Sequence, residues 1–282
     1  MAARPRLAPG RRAPPSGGGG RSDLGARVLA ALPAIAFAIF IVYEGGLVFA
    51  LGILALGIIC MGELFQMFRA ARPIRLAGFL GLTALVLAAL YGDQFQVVLV
   101  EAALIPVLFA LTLLMPRHEE PTIGMAVTLF GVWWIGLALA HAVLLRELPH
   151  GDGIVVDVLV GTFIGDTGAY FGGRFYGRRP LAPRLSPNKT IEGLLIGMVF
   201  AVGATWFAGT YQDWLKGTDA LLLGLGIALA APVGDLFESM VKRDSDIKDT
   251  GRLFGAHGGA LDRLDAVFFT IVVGYYIWYA LL

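Results

Sequence analysis

The sequence predicts an all-α fold: a polytopic integral membrane helix bundle of about nine transmembrane helices, amino end cytosolic and carboxyl end outside. Three observations predict it. Of the 282 residues, 57% are hydrophobic and only 15% charged, where a soluble domain carries roughly 45–50% apolar and about 25% charged residues. The apolar residues collect into stretches near the ~20 residues that cross a hydrocarbon core as helix, without the alternation of barrel strands. The basic residues fall almost wholly in alternate breaks between those stretches. Mean hydropathy is +0.74. A soluble enzyme, a secreted disulfide scaffold and a disordered chain are disfavoured together, and the single Cys60 cannot form an intrachain disulfide. A net charge of +1 gives no reason to expect a nucleic-acid partner.

The elements follow in order. Residues 1–23 hold Arg4, Arg6, Arg11, Arg12, several prolines and the run Gly17–Gly20, a composition that reads as a disordered basic cytosolic tail rather than a signal peptide. Spans are placed at 27–43, 46–67, 74–91, 95–115, 122–145, 153–172, 190–211, 219–240 and 264–282. The breaks are turn-like: Glu44-Gly45-Gly46, Gly92-Asp93, Pro116 to Pro121 and Pro149 to Gly153. The first two spans are each short if cut at Glu44. With this placement only Arg146 and Lys216, of 22 Lys and Arg residues, lie on the outer side, which sets the orientation.

Two regions follow. Residues 24–150 are mostly inert Leu, Ala, Val and Phe, suited to structural, lipid or oligomer contacts. Within them Pro33 and Pro106 are expected to kink their helices. Glu101 is either a buried acid or a snorkelling one, and Trp133-Trp134 reads as packing or lipid-facing. Residues 151–282 carry the chemistry. Acids stand at or just inside the cytosolic ends of the last four spans: Asp166, Glu192, Asp235 with Glu238, and Asp262 with Asp265. Each ionisable residue in a span costs about 2.5–3.5 kcal/mol on insertion scales and is a functional suspect by default. Pairing with loop arginines could explain one or two of them, but not six gathered at one face. Between Asp166 and Glu192 the chain is basic and acid-free, and Pro180, Pro183 and Pro187 make it an ordered or substrate-ordered loop rather than a helix.

Asp235, Ser239 and Lys242 follow at i, i+4 and i+7 on one helical face, with Glu238 at i+3. A carboxylate, a hydroxyl and a cation on one face suit a magnesium-bound phosphate, because magnesium takes one or two carboxylates and completes its shell with water and phosphate oxygens. Asp262 and Asp265 can supply the second carboxylate. Lys248-Asp249, Gly251, Gly255 and His257-Gly258-Gly259 lie between, and the glycines permit turns whose amides approach phosphate oxygens. His257 is open to three readings: structural histidine, proton carrier or phosphate donor.

The run Ser239-Met240-Val241-Lys242-Arg243, Lys248-Asp249, Gly251, Phe254-Gly255, His257-Gly258-Gly259 and Asp262-Arg263-Leu264-Asp265 resembles the signature of the phosphatidate cytidylyltransferase (CDP-diacylglycerol synthase) family. Asp166-Thr167-Gly168-Ala169-Tyr170, Gly172, Gly177, Ser186-Pro187-Asn188-Lys189-Thr190 and Glu192-Gly193 resemble a second block of that family, with Asn188 where a lysine is common. The resemblance covers about residues 160–270.

It implies transfer of the cytidylyl group of CTP to phosphatidate, giving CDP-diacylglycerol and pyrophosphate for phospholipid biosynthesis. The expected setting is the cell inner (plasma) membrane, multi-pass, with the site facing the cytosol. Phosphatidate, CTP and the bilayer are the expected partners and Mg2+ the expected cofactor; a second cation and a homodimer are compatible with it. Metal ligands are then Asp235 and Asp262, with Asp265 or Asp249 orienting them or holding a second ion. Lys242, Arg243 and Arg263 bind phosphates, with Lys248, Ser239 and Asp166 beside them. Ser186, Lys189, Thr190 and Glu192 shape a triphosphate or ribose subsite, and His257 joins Asp235, Asp262, Lys242 and Asp265 in the catalytic group. Two rivals stay open. A CTP-dependent lipid kinase would yield CDP and a polyprenyl phosphate, and an anion transporter would move substrate without a CDP-lipid product.

Overall fold

The computed structural model describes residues 22–114, 121–245, 247, 249–251 and 258–282, with the first ten of these as backbone alone. The predicted tail therefore lies outside the described residues except for Ser22 and Asp23, which already belong to the first helix.

Ten α-helices are described: α1 (Ser22–Glu44), α2 (Gly46–Met67), α3 (Arg75–Tyr91), α4 (Gln94–Leu114), α5 (Pro121–Gly131), α6 (Leu137–Glu147), α7 (Gly151–Tyr176), α8 (Ile191–Ala208), α9 (Gly217–Asp244) and α10 (Leu261–Leu281). A π-helical turn, Val132–Gly136, joins α5 to α6 into one rod, so every predicted span coincides with a helical segment. Among the described residues seven such segments are long and apolar enough to cross a membrane, and Leu32–Glu44 and Arg75–Tyr91 are shorter apolar helices. The chain is thus an all-α polytopic membrane protein, and its apolar residues outside the core face outward: Leu99, Phe109, Val199 and Phe207 are all exposed.

The Glu44-Gly45-Gly46 break is a real turn. Gly45 and Gly46 have φ of 66° and 46°, a region that L side chains rarely adopt. Arg146 covers the turn, donating from Nε to the Val42 carbonyl at 2.7 Å and from Nη2 to the Tyr43 carbonyl at 3.3 Å. Phe49, Met61, Leu64 and Phe65 of α2 pack with Leu82 and Leu85 of α3 and Ile135 and Leu139 at the π turn and α6. The Trp133-Trp134 pair divides as the π turn dictates. Trp134 is buried among Phe130, Phe237 and Phe268, while Trp133 is half exposed.

Residues 151–282 form a tighter group. Gly165 and Gly197 let α7 and α8 approach to backbone distance, since a side chain on either would strike the opposing helix. Thr162 Oγ1 donates to Thr270 Oγ1 at 2.9 Å, tying α7 to α10 inside the bundle.

One element departs from a purely helical fold. The segment expected as a loop pairs with itself as an antiparallel hairpin, β1 (Pro180–Ala182) with β2 (Ser186–Thr190), in register Pro180 with Thr190 and Ala182 with Ser186. The prolines that rule out helix do not rule out a short two-stranded ribbon, in which each strand has an unpaired edge that needs no amide. Leu185 N–H closes the turn on the Ala182 carbonyl at 3.1 Å.

Candidate active site

Helix α9 continues without interruption past Pro232 to Asp244, so its last turns present Asp235, Glu238, Ser239 and Lys242 much as the spacing predicts. Glu238 is fully buried and Ser239 nearly so. Lys242 Nζ donates to Glu238 Oε2 at 2.9 Å and to Asp262 Oδ1 at 3.0 Å. One ammonium thus links the end of α9 to the first turn of α10. The other oxygen of Asp262 accepts backbone N–H groups from both sides of the glycine segment, Thr250 at 2.9 Å and Gly259 at 2.8 Å.

Asp265 stands one turn further along α10. There the two helices touch backbone to backbone: a Cβ on Gly234 would lie 2.6 Å from the Asp265 carbonyl and 3.0 Å from Ala266 Cα. Asp265 is close enough to Asp235 for the two carboxylates to feel each other's charge, and Asp166 on α7 is close enough to both. Glu238 adjoins Asp265, and its Oε1 is buried without a hydrogen-bond partner among the described residues. Lys189 of β2 pairs with Asp235 and lies in the field of Asp166.

Among the described residues the cluster holds the carboxylates of Asp166, Asp235, Glu238, Asp262 and Asp265, with Lys189 and Lys242 paired into it. Carboxylates gathered in partly buried surroundings are costly unless cations offset them. Hard carboxylate oxygens are suited to a magnesium ion. Among the described residues no three His, Cys, Asp or Glu side chains converge to enclose a metal. The carboxylates present would suit an ion that takes one or two of them and shares the rest of its shell with phosphates and water.

The hairpin is fixed over this cluster. Thr190 is the N-cap of α8, its Oγ1 accepting the Gly193 N–H at 3.1 Å. Glu192 Oε2 accepts the N–H groups of Arg178 and Arg179 at 3.0 and 3.1 Å, holding the chain where it leaves α7. Arg243 Nε donates to the Leu185 carbonyl at 3.4 Å, at the hairpin tip. Ser186 opens β2 opposite Ala182.

The structure therefore brings Asp166, Lys189, Asp235, Glu238, Lys242, Asp262 and Asp265 together. Asp262 meets Lys242 and two amides, while Asp235 is the acid associated with Asp265 and Asp166. Thr190 and Glu192 serve as hairpin and helix fasteners. Asp249 is exposed, one residue before Thr250, and Arg243 and Arg263 are exposed on the turns flanking the cluster. Lys248 and His257 lie outside the described residues.

Two participants escape sequence reasoning. Thr250 contributes its amide to Asp262. Glu63, in the last turns of α2, accepts the N–H groups of Ala260 and Leu261 at 3.1 and 2.9 Å and the Thr250 hydroxyl at 3.3 Å. The signal for Glu63 was an acid in the otherwise apolar run Gly57 to Phe65, which is also how a snorkelling residue looks.

Comparison with known proteins bears on the same region. The family model described as "Cytidylyltransferase family" matches residues 25–281. Phosphatidate cytidylyltransferase of Bacillus subtilis (strain 168) is 32% identical over 265 residues, covering 90% of this chain and 97% of the relative. That of Pseudomonas aeruginosa is 40% identical over 149 residues, 51% of this chain and 52% of the relative. That of Mycobacterium leprae is 38% identical over 148 residues, 52% of this chain and 47% of the relative.

Proposed function

Because the chain belongs to the cytidylyltransferase family, we propose that it transfers the cytidylyl group of CTP to phosphatidate, giving CDP-diacylglycerol and pyrophosphate. The proposed setting is the inner face of a bacterial cell membrane, crossed nine times with the amino end in the cytosol. The observation that carries this reading is the convergence of Lys189 from the hairpin and Lys242 from α9 on one cluster of carboxylates from α7, the carboxyl-terminal third of α9 and the first turns of α10.

A lipid phosphate monoester has a second pKa of about 6, by analogy with phosphoserine, so the nucleophile is already largely ionised and needs no dedicated base. Its oxygen forms a bond to the α-phosphorus of CTP. The bond from that phosphorus to the bridging oxygen breaks, and pyrophosphate leaves with the electron pair. The problem is to hold two polyanions together and stabilise the charge that develops on the leaving group.

Lys242 gives two of its N–H groups to Glu238 and Asp262, which leaves a third for a phosphate oxygen. Lys189, delivered by the hairpin, meets the triphosphate from the opposite side, with Arg243 and Arg263 at the rim. Asp235 and Asp265 would hold a magnesium ion, with Asp262, Asp166 and Glu238 around them. Such an ion supplies charge neutralisation and orientation of phosphate oxygens when bound. The acyl chains stay among the outward-facing apolar side chains, and only the head group enters.

The test is product analysis of the purified protein in lipid nanodiscs with phosphatidate, CTP and magnesium. CDP-diacylglycerol and pyrophosphate in equal amounts are expected. CDP with a phosphorylated lipid would replace this reading by a kinase, and substrate movement without a CDP-lipid would replace it by a transporter.

A further inference from the structure

Glu63 belongs to the amino-terminal half of the chain, which the family signature does not touch. Its carboxylate nevertheless reaches the core of that signature. Oε1 accepts the Ala260 N–H at 3.1 Å and Oε2 the Leu261 N–H at 2.9 Å. These belong to the N-cap and first residue of α10, whose cap residue makes no side-chain capping bond of its own. The first N–H groups of a helix have no partner inside it and are usually satisfied by a neighbour in sequence. Here the acceptor comes from another helix, nearly two hundred positions earlier. A negative group at a helix amino terminus is also favoured by the helix dipole.

Thr250 completes the arrangement. Its hydroxyl donates to Glu63 Oε2 at 3.3 Å while its N–H donates to Asp262 Oδ2 at 2.9 Å. Gly251 and Gly259 flank the Glu63 carboxylate so closely that a Cβ on either would collide with it. The two signature glycines are therefore the places where α2 inserts its acid. Glu63 and Asp262 grip the same two stretches of chain, Thr250 and 259–261, from opposite sides.

We infer that Glu63 is a positioning residue for the proposed transfer: it fixes where α10 begins, and through that where Asp262 and Asp265 stand against α9. The inference rests on the role given to the carboxylate cluster above. Glu63 acts through Asp262 rather than on a substrate, so losing its grip misplaces the charge-handling groups without removing a phosphate contact. A displacement of about 1 Å at reacting groups can cost about 10²-fold in rate.

The experiment compares the full chain with Glu63→Gln and Glu63→Asp in nanodiscs, measuring kcat, the KM for CTP and the melting temperature. Gln keeps the shape but sets an amide N–H2 against a backbone donor, whereas Asp keeps the charge on a shorter stem. Glu63→Gln is expected to lower kcat about 10- to 100-fold with the KM for CTP changed less than about threefold, and Glu63→Asp to recover part of kcat. A Glu63→Gln protein with kcat within about twofold of the parent overturns the inference, as does a loss carried by KM or an Asp variant no better than Gln. If Glu63→Gln does not accumulate, Thr250→Val replaces it. It removes one donor at constant shape, and kcat is expected to fall about threefold or more; an unchanged kcat overturns the inference. A parent protein that makes no CDP-lipid refutes the functional reading itself. A working parent beside an unaffected Glu63→Gln refutes the role of Glu63 alone.

Discussion

Lys242 and Asp262 are 20 positions apart in sequence and 3.0 Å apart in space, and their contact joins the last turn of α9 to the first turn of α10. The same ammonium holds Glu238, which is fully buried. Lys242 is thus the charge that lets two acids lie side by side, and in the proposed reaction it is also the cation offered to phosphate.

Lys242→Met should therefore fail twice. Activity is expected to fall at least about 100-fold, and the melting temperature by several degrees, since breaking a buried pair from one side costs about 3–5 kcal/mol. Adding Glu238→Gln to Lys242→Met should restore most of the melting temperature and none of the CDP-lipid formation. Thermal melts and product assays on the same preparations check this; recovery of activity in the double variant would place phosphate binding elsewhere.

Asp235 and Lys189 should separate by kinetic parameter. Asp235→Asn is expected to lower kcat at least about 100-fold with the fold intact. Lys189→Ala should chiefly raise the KM for CTP, by about tenfold, as removal of a ground-state phosphate contact does. Steady-state kinetics over a CTP series distinguish the two, and equal effects on both parameters would show that the ion pair acts as one unit.

Asp262→Asn tests the carboxylate that the glycine segment holds. The amide side chain can keep one oxygen for Thr250 and Gly259 but loses its charge toward Lys242. CDP-diacylglycerol formation is expected to drop about 100-fold or more at an unchanged circular dichroism spectrum, and normal turnover would remove Asp262 from the site.

Glu192 holds the entry to the hairpin through the Arg178 and Arg179 amides. Glu192→Ala should loosen residues 178–190, raise the KM for CTP several-fold and speed proteolysis there, with kcat little changed. Glu192→Gln, which retains an acceptor, should lie between it and the parent.

Withdrawal of divalent cations by a chelator should abolish product formation, and magnesium should restore it. Persistence of turnover after exhaustive chelation would require the lysines and arginines to carry the charge alone.

Much of the fold was legible because the bilayer is an unforgiving solvent: a helix that spans it must be long and apolar, so residues 46–67 or 95–115 could hardly be anything else. The turn at Gly45 was legible from the glycine pair. The hairpin was not, because prolines speak against helix without saying what replaces it, and the bonds that fasten it include ones from outside the strands, from Glu192 at the start of α8 and Arg243 at the end of α9. Within the site, spacing placed Asp235, Glu238 and Lys242 on one face but could not tell which acid each lysine would take. Glu63 was illegible for a different reason. Two of its partners are backbone amides on a distant helix, and Thr250, Gly251 and Gly259, which admit the carboxylate, do not by themselves say which side chain they receive.

The Glu63 contact also limits how the chain can be divided. Residues 121–282 contain every residue of the two signature blocks, so they look like a portable catalytic half. Grafted alone into another scaffold, they would begin α10 with two amides lacking their acceptor and a slot between two glycines standing empty. Recombination between relatives should therefore yield working chimeras only when the donor of the carboxyl-terminal helices meets an acid at the matching height of the second helix.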